Sequence, residues 1–255
     1  MNVRKHVSIL IMLLGVASTA CVAQIWDATK DFGAINPNGA WSYGYGVTGT
    51  SFTLYTIHNS GCDLQGVVCW TAEEYGIDPF VGFNTTGTWL NDGTATFPPN
   101  VLIMSPAPDW EPADSIVQWT APAAGTYTIS GFFEILDTEP TGIVGLVFRN
   151  GTQLYRGELL GPPAQQNPDK AGGREDFYFA NLSLNAGDVI SFGVNSDGTF
   201  YYDSTGFNAT IVTARRGLSV RGLFSVKEVG TCELGAPPLL PGLAKGRSRT
   251  RRSTN

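Results

Sequence analysis

The chain has 255 residues, 42% of them hydrophobic and only 15% charged, with 31 glycines and a net charge of −6. So much glycine with so little charge excludes a bundle of solvated helices and points to a chain rich in turns. Residues 24–214 carry five basic residues against 20 acidic ones, while residues 215–255 carry nine basic against two. The acidic body is expected to repel nucleic acid and anionic lipid, so neither is an expected partner.

In chain order, the first 23 residues read as a signal peptide. Arg4 and Lys5 precede the apolar "ILIMLLGV", and small residues follow in "ASTACVAQ", with cleavage expected after Ala20 or Ala23. Cys21 is a second candidate, for lipidation, although Ser18 stands where a lipobox carries a large aliphatic. The apolar run is too short to anchor in a bilayer, and no later run approaches the ~20 apolar residues of a transmembrane helix. The expected location is therefore outside the cell or in its envelope.

Residues 24–213 read as one all-β domain, an antiparallel, jelly-roll-like β-sandwich. "SFTLYTIH" (51–58), "SIVQWTA" (115–121) and "GTYTISGFFEIL" (125–136) alternate with period two, which places successive side chains on opposite sheet faces. "GIVGLVFRNGTQLYRG" reads as a hairpin turning at Asn150–Gly151, because both central residues of a type I′ turn need positive φ. Residues 177–184, 189–194 and 206–213 supply further strands, about nine in all. No segment has a helical period; "TAEEYG" allows at most a turn or two. A parallel α/β fold would need crossover helices that are not visible. "VGFNTTGTWLNDGTATFPPN" (81–100) and "GPPAQQNPDKAGGRED" (161–176) read as long loops. Residues 214–255 read as a basic tail without structure.

Cys62 and Cys69 lie seven apart in "GCDLQGVVC". A disulfide there would close a small loop in an oxidising compartment. Two buried thiols are the alternative, and a zinc site is weaker, since His58 is the only histidine after the signal segment.

"DFGAINPNGAWSYGY", "VQWTAPAAGTYTISGFFEILD" and "LSLNAGDVISFGVNSDGTFYYDSTGFNATI" resemble a group of secreted bacterial β-sandwich proteins that often carry a C-terminal sorting signal of the PEP-CTERM type. The resemblance covers roughly residues 31–212. Its motifs are glycines, aromatics and turn residues, so it implies a fold and carries no catalytic residue. The tail "GAPPLLPGLAKGRSRTRR" keeps prolines and a basic cluster but lacks the Pro-Glu-Pro motif and the helix of such a signal.

Catalysis has little support in the residues. A Ser-His mechanism has only His58, on an alternating strand, and no GxSxG occurs. Glu134, Asp137 and Glu139 form the densest acidic cluster, as a glycosidase pair would require, but also as a solvated strand end would. No cofactor is expected, with structural calcium left open. Asn195, Asp197 and Asp203 offer oxygens for it, although Asn195 to Gly198 reads better as a tight turn. Carbohydrate binding is the most specific role. Sugars stack their apolar faces on exposed rings, and the candidate rings are Trp89, Trp110, Tyr201 and Tyr202, with Trp119 assigned to the core. The expected protein is thus a secreted or surface-associated, non-catalytic β-sandwich that contacts polysaccharide or extracellular matrix. An inert envelope component is the alternative. In "TFYYDSTGFNATI", Asp203, Ser204 and Thr205 are expected to cap a bend opened by Gly206. Tyr201 and Tyr202 are expected to point to opposite sides, one of them to solvent.

Overall fold

A computed structural model describes residues 23–62, 64–72, 78–108, 113–159 and 173–214. Residues 1–22 with Cys21, residues 73–77 with most of "TAEEYG", Trp110, residues 160–172 and the basic tail from 215 lie outside the described residues. All sixteen elements among the described residues are strands, and no helix there is long and apolar enough to cross a membrane.

Two antiparallel sheets make the sandwich. Across the larger run β14 (Arg174–Leu184), β11 (Gly125–Ile135), β16 (Thr205–Thr213), β9 (Leu102–Ser105), β6 (Phe80–Asn84), β5 (Val67–Thr71) and β4 (Ile57–Ser60). β1 (Ile25–Asp27) is the eighth strand and pairs with the C-terminal half of β16, whose N-terminal half pairs with β9. Across the smaller sheet run β13 (Thr152–Leu159), β12 (Ile143–Arg149), β15 (Val189–Asn195), β10 (Asp114–Thr120), β2 (Trp41–Gly46) and β3 (Thr53–Leu54). From β9 onward consecutive strands alternate between the sheets, apart from the β12–β13 hairpin, so the antiparallel jelly-roll-like class is as expected. That hairpin turns at Asn150 and Gly151, with φ of 46° and 81°.

The facing surfaces share one aromatic core. Trp119 of the smaller sheet packs edge-on between Trp26 and Tyr127 of the larger, at centroid distances of 5.2 Å to each. Phe192 likewise meets Phe177 at 5.6 Å and Phe207 at 5.2 Å. Such pairs contribute ~0.5–1.5 kcal/mol each beyond area burial. Gly131 makes room for this layer, because a Cβ there would lie 2.4 Å from the Phe177 ring. Phe207, Ala209 and Ile211 alternate into the core as expected, each fully buried.

Two expectations are corrected. Residues 51–58 are not one strand: β3 joins the smaller sheet and β4 the larger. Between them Tyr55 turns inward and stacks on Tyr45 at 5.5 Å, while Asn36 Nδ2 donates to its carbonyl at 2.9 Å. Burial of one large ring at the crossing outweighs continued alternation. Residues 81–100 are not one loop either. They hold the rest of β6 and a hairpin of β7 (Leu90–Asp92) and β8 (Ala95–Phe97). Leu90, Ala95 and Phe97 close over Val67, Cys69, Phe80 and Ile103, a second apolar cluster distinct from the main core. These last four residues alternate with core-facing neighbours, so the hairpin covers the outer face of the larger sheet at β5, β6 and β9. Cys62 and Cys69 are bonded to each other at the rim of this cluster, with Cα atoms 6.0 Å apart.

Candidate functional site

The hairpin covers only half of the larger sheet. On the other half, no described residue covers the outward side chains of β14, β11 and β16, and the register sets these in cross-strand rows. Asn208, Phe132 and Asp176 form one row; Thr210, Ser130 and Tyr178 form the next. Glu134 opposite Arg174 closes one end. The two rows and Arg174 line an open groove of about 380 Å³.

The groove has an apolar floor and a charged wall. The Arg174 guanidinium lies 3.6 Å from the centroid of the Phe132 ring. It is held there by Asp176, whose Oδ1 accepts from Nε at 3.0 Å, and by Glu134, whose Oε2 is 3.6 Å from Nη1. Cation–π contact and paired carboxylates together fix a side chain that would otherwise sample many rotamers. Burial pushes the Glu134 carboxyl above its ordinary range, and the neighbouring Arg174 pulls it back. Tyr178 is two-thirds exposed, at 67%. Asn208 Oδ1 accepts from the Thr29 backbone N–H at 3.2 Å, which orients the amide from the β1 side. Hydroxyl, amide, carboxylate and guanidinium groups beside two ring faces form the chemistry that meets a sugar: polar atoms for its hydroxyls, rings for its C–H faces. The two carboxylates share one guanidinium, which disfavours the opposed acid and base of glycoside hydrolysis.

The rings singled out from sequence lie elsewhere. Trp89 is 54% exposed at the end of the 85–89 turn, just before β7. Asn84 braces that turn by donating Nδ2 to the carbonyls of Thr88 at 2.6 Å and Phe97 at 2.8 Å. Tyr201 and Tyr202 lie on the β15–β16 connection, and both face solvent, at 56% and 45% exposure. The expectation that only one does so assumed extended backbone, whereas Tyr202 has φ of 64° and turns the chain. Tyr201 packs on Phe200 at 4.5 Å. Trp110 lies outside the described residues. Trp119 is fully buried, as assigned.

The acidic residues separate as well. Glu134 faces the groove, but Asp137 is buried, 3% exposed. Asn195 donates Nδ2 to Asp114 at 2.7 Å, and its Oδ1 accepts from the Asp197 backbone, which forms the expected tight turn. Asp203 turns away from both, with its Oδ1 2.9 Å from the Thr141 hydroxyl. It therefore clasps the β11–β12 connection as well as its own bend, where Thr205 Oγ1 donates to its carbonyl at 2.9 Å. Gly206 has no special φ and belongs to β16. His58 packs against Trp70 with the rings tilted and their centroids 4.8 Å apart.

Sequence reasoning missed the groove, yet one signal for it exists. Ring residues at Phe132 and Tyr178 occupy outward positions of alternating strands, where a solvated face would carry small polar residues.

No protein-family model matches the chain, and no curated protein matches it. Several solved structures are similar. A family 35 carbohydrate-binding module from Clostridium thermocellum is 10% identical, with a TM-score of 0.27 over 62% of this chain and 98% of that one. A family 51 module from Clostridium perfringens, in complex with methyl-galactose, is 10% identical, with a TM-score of 0.33 over 74% of this chain and 100% of that one. The tandem family 51 modules of a Streptococcus pneumoniae family 98 glycoside hydrolase are 11% identical, with a TM-score of 0.35 over 74% of this chain and 50% of theirs. Scores this low do not transfer a binding site.

Proposed function

We propose that the domain is a secreted, non-catalytic glycan-binding module whose site is the β14–β11–β16 groove. The observation that carries this reading is a pair of ring residues, Phe132 and Tyr178, on an uncovered sheet face, flanked by the braced Arg174, Asp176 and Asn208. The remainder of that sheet's outer face is sealed by a dedicated hairpin. A groove open along its length suits a chain of sugars, so the partner is a polysaccharide of the cell surface or extracellular matrix. Affinity electrophoresis against a panel of soluble polysaccharides tests it. Retardation by at least one polysaccharide, lost in Phe132→Ala and reduced in Tyr178→Ala, is the expected result; equal retardation of both variants and the parent defeats the groove assignment.

A second reading rests on the exposed rings of Tyr201 and Tyr202, next to Phe200. Retardation lost in Tyr201→Ala but kept in Phe132→Ala would move the site to that connection.

A further inference from the structure

Beyond the last ladder pair of β11 and β16, Ile135 with Thr205, the backbones stay together, since the Leu136 N–H donates to the Ser204 carbonyl at 2.8 Å. One more step of the same register sets Asp137 opposite Asp203. Both are buried, 3% and 2% exposed, and each has a carboxylate oxygen without a hydrogen-bond partner: Oδ1 of Asp137 and Oδ2 of Asp203. Like charges directly opposite on neighbouring strands repel, and burial in low dielectric sharpens the repulsion.

The donors around the pair, the Thr94 and Thr141 hydroxyls and the backbone N–H groups of Thr138, Glu139, Thr141 and Gly142, leave these two oxygens unserved. The single proton of the Thr141 hydroxyl faces three oxygens, the carbonyls of Thr199 and Tyr201 at 3.0 and 2.7 Å and Asp203 Oδ1 at 2.9 Å. Side-chain cations are also committed elsewhere. Among the described residues Lys30 pairs with Asp27, Arg149 with Asp188, Arg156 with Glu158, and Arg174 with Glu134 and Asp176. Asp114, also deeply buried, has both carboxylate oxygens partnered: Oδ2 accepts from the Thr48 N–H and hydroxyl, and Oδ1 from Asn195 Nδ2.

We propose that Asp137 and Asp203 form a calcium site, in which the two unpartnered carboxylate oxygens ligate one cation and the carbonyls of the β15–β16 connection contribute further oxygens. An all-oxygen donor set with two carboxylates suits a hard divalent ion and offers nothing to zinc or copper. The ion would tie three segments together at one end of the sandwich. These are the β11–β12 connection, the β15–β16 connection that carries Tyr201 and Tyr202, and the foot of the covering hairpin, where Ala95 bridges to Asp137.

The test uses the full chain, stripped with a chelator and dialysed. Melting with and without millimolar calcium should show a rise of several degrees, since a ligand of the folded state alone stabilises by mass action. The rise should vanish in Asp137→Asn and in Asp203→Asn. Terbium luminescence, sensitised by the nearby tyrosines of the unaltered chain, should saturate and be displaced by calcium, and this needs no variant to fold. The competing arrangement is a shared proton between the carboxyls, with Thr94, the Thr138 and Glu139 backbone, the Glu139 charge and Thr141 as the facing groups. Metal-free protein should melt higher on acidification under either arrangement, but a shared proton alone predicts melting that ignores calcium. That result overturns the proposal, as do terbium that fails to bind and a calcium response kept in both variants.

Discussion

The two halves of the larger sheet have opposite outer faces. At β5, β6 and β9 the outward residues are Val67, Cys69, Phe80 and Ile103, and the chain spends a hairpin and a disulfide on covering them. At β14, β11 and β16 they are Asp176, Tyr178, Ser130, Phe132, Asn208 and Thr210, with nothing over them among the described residues. One half is a third structural layer, and the other is presented to the surroundings. An apolar outward face must be sealed by the chain itself, whereas a polar face with embedded rings can wait for a ligand. Substitutions in the first half should therefore cost stability, and those in the second should cost binding.

The largest effect belongs to the covered half. Phe97→Ala opens a cavity beneath the hairpin and should cost about 3–5 kcal/mol in urea unfolding, while the folded fraction keeps its polysaccharide retardation. Loss of retardation at full foldedness would couple the halves and erase the distinction.

The foot of the same hairpin supplies a pH test. Burial raises the Asp203 carboxyl from its ordinary 3.8 to about 7, opposed in part by hydrogen bonds from Thr141 and Gly142. The folded state then binds more protons than the unfolded state between these values, so stability is greatest below about pH 4 and falls as pH rises towards 7. In chelator-treated protein this contribution should appear as a melting temperature that declines across that window, and Asp203→Asn should flatten it. An equal slope in the variant would assign the titration to another group.

Removing the disulfide by Cys62→Ser with Cys69→Ser should cost about 2.5 kcal/mol, the chain-entropy value for so short a loop. Guanidinium unfolding measures it, and the groove should not respond.

The same contrast explains what was legible in the sequence. β11 and β16 alternate along most of their length because one face lies in the core and the other is left open. β5, β6 and β9 are buried on both faces, as in "FVGFN" and "LIMS", so the period of two disappears and with it the signal for a strand. The hairpin that buries them was hidden in turn, since β7 and β8 are three residues each. The break at Tyr55 depends on a tertiary partner, Tyr45, that no local pattern names. The groove was illegible for a related reason. Exposed rings were sought in loops, at Trp89, Trp110, Tyr201 and Tyr202, but Arg174 meets Phe132 only because β14 lies beside β11, a pairing between segments about forty residues apart.

Within the groove, the two rings should differ, and this is the smallest and sharpest test. Phe132 is half-buried, lies under Arg174 and is flanked by Asp176 and Asn208 across both neighbouring strands. Phe132→Ala removes the ring and frees the guanidinium at once, so affinity should fall about tenfold or more, ~1.4 kcal/mol at least, with little loss of stability. Tyr178 stands at the edge strand, two-thirds exposed and with no ring packed on it among the described residues. Stacking on an exposed ring at the sheet edge yields less, because part of the gain goes to ordering it, so Tyr178→Ala should weaken binding only a few-fold. Arg174→Lys separates the contributions further: it keeps the charge but not the planar contact with Phe132, and its loss should fall between the two. Equal losses in all three variants would mean that the groove binds through general charge and shape. The graded order, with Phe132 first, would mean that the braced ring at its centre is the recognition element.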